Sequence, residues 1–441
     1  MKIIIKNKIY VSSLLTKIFV FIGVLGTLIP IPFMPSSFRL YYLFLPITLI
    51  YFIATGIRKS AIKYILLGFP LIVYSMLSAS LNYANNDFIQ SNENPVFRFI
   101  ILFLLFVSTI LIAFYVNHKN IDYKFSLIKT YLKGYFVTLI FGYIFFIGYY
   151  KGFISINIIE YFQVQVQEGY GLLRLSPGSY PNEYGNVSSF VLSIITLFLF
   201  YKKSLKRQNI IFHKKWDTIF MLFFWVLTLI ALFLTTTRSA YISYIFAIIY
   251  IVFSQKGIFR KIKSLIKAIV LVLVLFEIVQ NYVYNIKSIF LTAYVSFFDK
   301  QASAYTRITA WQTGLEEFKN HYILGVGFGS LGDMHNVYLQ ILFEMGLLGT
   351  FILLVTFFIY IRVQHINKSN NILETFDSKY ELLLKIKNLA ILHVLWFATN
   401  NHNLNHHLTW FCVLLILICN FNLKYNTLNR SHKKISCELN R

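Results

Sequence analysis

Runs of about 20 predominantly apolar residues, broken by short polar stretches, follow one another along the whole of this chain. A helix of that length crosses the roughly 30 Å hydrocarbon core of a bilayer. The pattern predicts helices over 14–34, 39–56, 61–80, 96–117, 127–149 and 184–201, then over 216–235, 237–254, 264–283, 335–361, 387–400 and 407–424. Twelve spans describe an all-α polytopic membrane protein, and with no block of soluble sequence left over, residues 1–441 form a single membrane-embedded domain. Two connections are long, 150–183 and 284–334, and long loops in compact proteins are often functional. In the second, Ile308, Trp311, Leu315 and Phe318 fall at helical spacing and predict an amphipathic helix lying on the membrane.

Composition fixes the solvent. With 57% hydrophobic and 13% charged residues, the chain has too little polar surface to cover a soluble globule. Its formal net charge of +24 raises nucleic acid as a partner, but the placement of the charge decides otherwise. All but nine of the 41 Lys and Arg fall in segments that share a side with the N-terminus. By the positive-inside rule both termini are cytoplasmic, and the two long loops are extracytoplasmic. The basic charge is then a topology signal, helped by anionic lipid, and needs no nucleic acid. The first apolar run ends in IPIPFMPSS without a small-x-small cleavage pattern, which predicts a retained first span. Cys412, Cys419 and Cys437 imply no disulfide framework.

The polar chemistry concentrates between Ser303 and Gly349, which supplies Arg307, Trp311, Glu316, Glu317, Asp333 and His335. Upstream, Arg174 lies in YGLLRLSPGSYPNEYG and Arg238 in TTTRSAYISY. An interfacial arginine snorkelling to water explains Arg174 equally well; Arg238, at a helix boundary, is costly unless it meets water or an anion. His335 and Asn336 open the tenth helix on the same side as the three arginines, and histidine is the natural base near neutral pH. Glu344, deeper in that helix, needs a partner and is read as structurally paired. Glu316 and Glu317 are adjacent and form a solvated edge. The glycines of LGVGFGSLGD have the wrong spacing for a phosphate-cradling loop and predict flexible backbone. In ATNNHNLNHHL, His402, His406 and His407 lack carboxylate or thiolate neighbours in sequence, so a polar cap is expected rather than a metal, and no cofactor is expected.

Several arginines and one histidine on the outer face, without an Asp-x-Asp pair, suit phosphate chemistry. Arginine grips phosphate bidentately and can stabilise a departing pyrophosphate in place of a divalent metal. Outside the cell the phosphate must arrive on a lipid. That points to glycosyl transfer from a polyprenyl-diphosphate carrier, with His335 taking the proton of an acceptor hydroxyl.

Arg307-x3-Trp311, GVGFG over 325–329, HNVYLQ over 335–340, Glu344-x-Gly346-x-x-Gly349 and the upstream TTTRSA resemble the signature region of the O-antigen polymerase and ligase family, over residues 230–362. The resemblance implies metal-independent transfer, with Arg238 and Arg307 on the lipid diphosphate and His335 activating the acceptor; Trp311, Asn336 and Glu344 are candidates for supporting roles beside them. Arg174, ten residues and then Gly185 resembles a pattern in an external loop of O-antigen polymerases, which adds Arg174 to the diphosphate set. Arg307 is not followed by glycine at that spacing, a departure that weakens the polymerase assignment.

The expected activity is therefore a polymerase of surface polysaccharide (O-antigen, capsule or exopolysaccharide) in a bacterial plasma membrane. Its donor and acceptor would both be polyprenyl-diphosphate-linked oligosaccharides, and the resemblance implies a chain-length regulator as protein partner. The nearest alternative is a ligase moving polymer onto a lipid A core. A lipid-linked oligosaccharide transporter is a third reading; it would show internal repeats and midplane ionisable residues in broken helices, and the sequence displays neither.

Overall fold

The computed structural model describes residues 2–30, 39–54, 59–84, 95–117, 119–162, 168–169, 172–207, 215–255, 257, 303–331, 334–362, 378–400 and 406–420, with scattered positions over 262–281. Helices α1 (Lys2–Leu25), α2 (Tyr41–Ala54), α3 (Lys59–Ala84), α4 (Pro95–Asn117) and α5 (Ile121–Tyr150) come first. A short α6 (Ile156–Phe162) and a two-stranded antiparallel hairpin, β1 (Glu168–Gly169) and β2 (Leu172–Leu173), lead into α7 (Pro181–Phe200). Next are α8 (Lys202–Arg207), α9 (Lys215–Leu234) and α10 (Arg238–Phe253). The last four are α11 (Ser303–Asn320), α12 (Val337–Arg362), α13 (Ser378–Asn400) and α14 (His407–Asn420).

Six described helical segments are long and apolar enough to cross a membrane: 98–117, 121–150, 181–200, 216–234, 337–359 and 379–400. Shorter apolar helices cover 11–25, 41–54, 65–80, 238–253 and 407–419, each on an expected span. Of the expected span 264–283 only scattered positions are described, and residues 284–302, 332 and 333 of the loop 284–334 lie outside the described residues. The outer surface shows why these helices need lipid. Ile219, Phe220 and Phe223 on α9, Ile242, Ile245, Phe246 and Ile249 on α10, and Phe351, Leu354 and Phe358 on α12 are exposed at helical spacing. The chain is accordingly an integral membrane protein.

At the centre stands α7, whose spanning window is 89% buried. Two polar residues of α7, Ser193 and Thr196, bond neighbouring helices. Ser193 Oγ bonds His393 Nε2 at 3.0 Å, and His393 Nδ1 meets Ser243 Oγ at 2.9 Å, tying α7, α13 and α10 together. Thr196 accepts from the Trp225 indole at 2.9 Å. Helix α13 begins well before the expected residue 387, because its cations find partners: Lys385 Nζ bonds Glu381 at 2.9 Å, the Tyr201 hydroxyl at 2.7 Å and the Ser254 carbonyl at 3.0 Å.

Two expectations about 303–349 are corrected. The apolar stripe of α11 does not simply lie on a membrane. Trp311, Phe318 and Ala310 pack on Leu331, Met334 and Phe343, with Phe318 and Phe343 ring centroids 5.7 Å apart, while Leu315 stays 47% exposed. Nor is the glycine segment slack. Helix α12 breaks at Gly346 (φ 66°, ψ −171°), and 322–327 runs antiparallel into the break. Val326 N donates to Phe343 O at 3.0 Å and Gly327 N to Glu344 O at 2.9 Å, while Leu347 N donates to Tyr322 O at 2.9 Å and Leu348 N to Ile323 O at 3.1 Å. Each bond supplies a partner that the interrupted helix lacks, and in an apolar medium an unsatisfied backbone group costs several kcal/mol.

Gly325 and Gly346 stand back to back. A Cβ on Gly346 would collide with the Ile323 carbonyl, and one on Gly325 with the Glu344 carbonyl. Gly346→Ala is therefore expected to destabilise the detergent-solubilised protein by about 2 kcal/mol or more, from positive-φ strain plus the clash. Gly23→Ala, in a helix with nothing within 4 Å, should leave the melting temperature unchanged or raise it. Equal melting of the two variants would contradict the interlock.

Candidate functional site

The end of the bundle formed by the N-termini of α7, α10, α12 and α14 and the C-termini of α9 and α13 carries the sequence-predicted residues. Helix α9 stops at Leu234 and α10 starts at Arg238 with Thr237 as N-cap, so the chain reverses within Thr235–Thr237. Thr236 takes φ 51° there, costly for a β-branched side chain. The half-buried Arg174 holds this corner. Its Nε donates to Thr235 O at 2.8 Å, and its Nη2 donates to Thr237 Oγ1 and Asn182 Oδ1, each at 3.1 Å. Gly185 completes the contact from α7: a Cβ at that position would lie 2.7 Å from Thr237 Cβ and 2.9 Å from its Oγ1. The two ends of the Arg174-x10-Gly185 pattern thus meet at one place, since both residues contact Thr235 and Thr237.

His335 departs from its expected place. It does not open α12; it precedes it, with φ 48°, and Asn336 is the residue that caps the helix. Asn336 Oδ1 accepts from Tyr338 N at 3.0 Å and Leu339 N at 3.1 Å, satisfying two of the amides that a helix start leaves unpaired. Among the described non-glycine residues, Thr236 and His335 alone have positive φ. Strain of that kind, about 1–3 kcal/mol each, persists where surrounding structure over-determines it, and it clusters at functional sites.

Two tryptophans fix the surroundings. Trp311 Nε1 donates to Met334 O at 2.7 Å, so α11, and with it the half-buried Arg307 one turn earlier, is fastened beside His335. Trp396 Nε1 donates to Ser239 O at 2.8 Å, next to Arg238, while Tyr338 Oη donates to Leu395 O at 3.0 Å. Leu395 and Trp396 are consecutive in α13. One turn of that helix therefore carries the start of α10 with Arg238 on one bond and the start of α12 with His335 on the other. Trp396 and Tyr338 were not foreseen; a tryptophan near a helix end is a weak signal of such a role.

Glu344 is 1% exposed and acts as an internal tie. It accepts from Leu331 N at 3.2 Å and Gln340 Nε2 at 3.1 Å, with Arg98 Nη1 at 4.0 Å, which locks the segment after the glycines onto α12 and α4. Glu316 is exposed and Glu317 half-buried; Asp333 and His402 lie outside the described residues. The histidine turn differs from expectation in one respect. His406 has a carboxylate neighbour, Glu183 Oε2, 3.6 Å from its Nε2 and brought there from a distant part of the sequence. Among the described residues no group of three or more His, Cys, Asp or Glu could hold a metal.

Arg174 and Gly185 act on a single corner, which makes a double-mutant cycle informative. Arg174→Lys cannot form the three bonds and Gly185→Ala displaces Thr237, so each should cost about 1–3 kcal/mol. Their combined cost, measured by thermal unfolding in detergent, should fall short of the sum by about 1 kcal/mol.

Residues 223–354, less than a third of the chain, match the family model for O-antigen ligase. The matched segment contains Arg238, Arg307, His335 and Glu344 and excludes Arg174. No curated protein matches the chain. The family match supports the O-antigen ligase and polymerase relationship, and glycosyl transfer in polysaccharide assembly is the activity that this relationship carries.

Proposed function

We propose that this protein is a polymerase of surface polysaccharide that joins polyprenyl-diphosphate-linked repeat units on the extracytoplasmic side of a bacterial plasma membrane. The observation that carries the reading is the pair of bonds on Leu395 and Trp396, which set Arg238 and His335 against one turn of α13.

In this mechanism Arg238 and Arg307 grip the diphosphate of the growing chain. Each guanidinium offers a planar fork to phosphate oxygens and neutralises charge as it develops on the leaving group. His335 accepts the proton of the acceptor sugar hydroxyl. That oxygen forms a bond to the anomeric carbon as the bond from carbon to the diphosphate oxygen breaks, and the polyprenyl diphosphate departs with the electron pair. Arg174 serves the reaction through the corner it holds, keeping Arg238 at the start of α10. Asn336 fixes the backbone after His335, Trp311 fastens α11, and Glu344 holds the glycine segment below them. The Arg174-x10-Gly185 pattern supports the polymerase over other transferases.

Ligation of finished polymer to a lipid A core is the second reading, favoured by the description of the matching family. Transport has one new point in its favour, the broken helix α12. The four bonds from 322–327 occupy the backbone groups that a transporter would turn toward an ion or substrate.

A null strain complemented with wild-type or His335→Ala protein tests the proposal. The null and His335→Ala strains are expected to show single repeat units only, with the variant present in the membrane at wild-type level. Long polymer stranded on the lipid carrier would instead make ligation the missing step. Repeat units trapped on the cytoplasmic leaflet would favour transport.

A further inference from the structure

The transfer mechanism uses one end of the bundle and leaves the seam of α1, α2 and α5 without a role. An apolar groove of about 620 Å³ runs along that seam. Ile18, Ile22 and Leu25 line it on α1, Phe44 on α2 and Thr130 on α5. Ile29 and Leu40 close one end, where Leu40 N donates to Ile29 O at 2.9 Å. Lys17, itself a lining residue, marks the other end.

The helix contacts set the depth of this groove. Helices α1 and α5 run side by side in the same direction: Tyr123 Oη donates to Ser13 O at 3.1 Å, and a Cβ on Gly134 would lie 2.8 Å from Phe21 O. From Thr130, α5 continues for about 30 Å to Tyr150, the thickness of a hydrocarbon core, whereas the wall from Lys17 to Leu25 covers about 12 Å. The groove therefore opens at one membrane face and is closed off around the midplane. Tyr150, at the far end of α5, accepts from Leu173 N at 2.7 Å, beside Arg174, so the groove opens on the face opposite the candidate site. The expected topology makes that face cytoplasmic.

Charge gathers at the open end. Lys17 is half-buried, and its Nζ lies 5.6 Å from the ring centroid of Tyr123, at the level where the groove begins. Lys133 is exposed and follows Thr130 by three residues on the same face of α5; helical side chains lean toward the helix N-terminus, here the open end. Asp122, the carboxylate at this end of α5, is already paired with Lys379 Nζ at 2.9 Å. Two cations at the mouth of an apolar channel one leaflet deep are complementary to a lipid with an anionic head and tails of one leaflet's length. A polyprenyl tail is far longer and would overrun the end closed by Ile29 and Leu40, while a zwitterionic head would bring a cation of its own to the lysines.

We propose that this groove is a site for one anionic phospholipid of the leaflet opposite the candidate site. Its phosphate lies against Lys17 and Lys133, and one acyl chain runs along Ile18, Ile22 and Phe44, completing the packing of α1 on α2 and α5. The site takes no part in transfer and depends on neither the polymerase nor the ligase reading.

Delipidated full-length protein, titrated with phosphatidylglycerol and followed by native mass spectrometry, tests this. Wild type is expected to hold one phosphatidylglycerol, about tenfold or more tightly than phosphatidylethanolamine. Lys17→Gln and Lys133→Gln should each weaken it about fivefold, the effect of one lysine beside an anionic head group. Ile18→Trp, which fills the groove, should hold none, and Ile245→Trp, on the exposed face of α10, should bind as wild type does. Lys17→Gln removes no packed apolar side chain, so its affinity decides the question if Ile18→Trp fails to fold. Wild-type affinity in Lys17→Gln, or in folded Ile18→Trp, would overturn the site. So would equal binding of the two phospholipids, which would leave an acyl-chain contact without head-group recognition. Undecaprenyl phosphate displacing phosphatidylglycerol at equal concentration would overturn the phospholipid assignment in favour of a carrier lipid.

Discussion

Inside a bilayer every backbone amide and carbonyl must find a partner within the protein, and the break in α12 at Gly346 is built around that constraint. A helix interrupted in apolar surroundings is tolerated only because 322–327 fills the gap bond for bond. The same bonds determine where the chain goes next. Once Ile323–Gly327 is anchored in α12, with Glu344 and Ser78 holding Leu331 and Phe328, the approach to His335 is set. The position of the candidate base is thus fixed from below by the glycine interlock and from the side by Trp311 and Tyr338.

A second constraint comes from α9 and α10, which reverse direction in three residues. So short a turn forces Thr236 into the left-handed region and leaves carbonyls and hydroxyls pointing outward, and Arg174 collects them. Strain and cation occur together here and again around His335. At both places a strained backbone is held by the contacts around it, a combination that clusters at functional sites.

Much of this was legible in the sequence. Apolar runs located helices at eleven of the twelve expected positions, six of them long and apolar enough to cross a membrane, because hydrophobic length is a strong, local signal. Arg174, Arg238, Arg307 and His335 stood out as polar residues at the ends of apolar runs, and the structure brings them to one end of the bundle. What the sequence hid is mostly long-range or backbone-encoded. The bonds from Tyr74 to Leu324 and Met345, the meeting of Glu183 with His406, and the docking of Trp396 on Ser239 join positions far apart in the chain. The glycines of GVGFG suggested slackness, since glycine is permissive. Here its missing Cβ serves close packing, a use that only the partner segment reveals. The early start of α13 was missed because lysines looked like loop until Glu381 and Tyr201 supplied their partners.

Metal-independent transfer at His335 is tested most directly by reconstituting the purified protein with lipid-linked repeat units in the presence of a chelator. Wild type is expected to build a ladder of polymer and release one polyprenyl diphosphate for each bond formed, while His335→Ala, folded to the same melting temperature, releases none. Transfer that stops on adding chelator, or that proceeds unchanged in His335→Ala, would contradict the chemistry assigned to this end of the bundle.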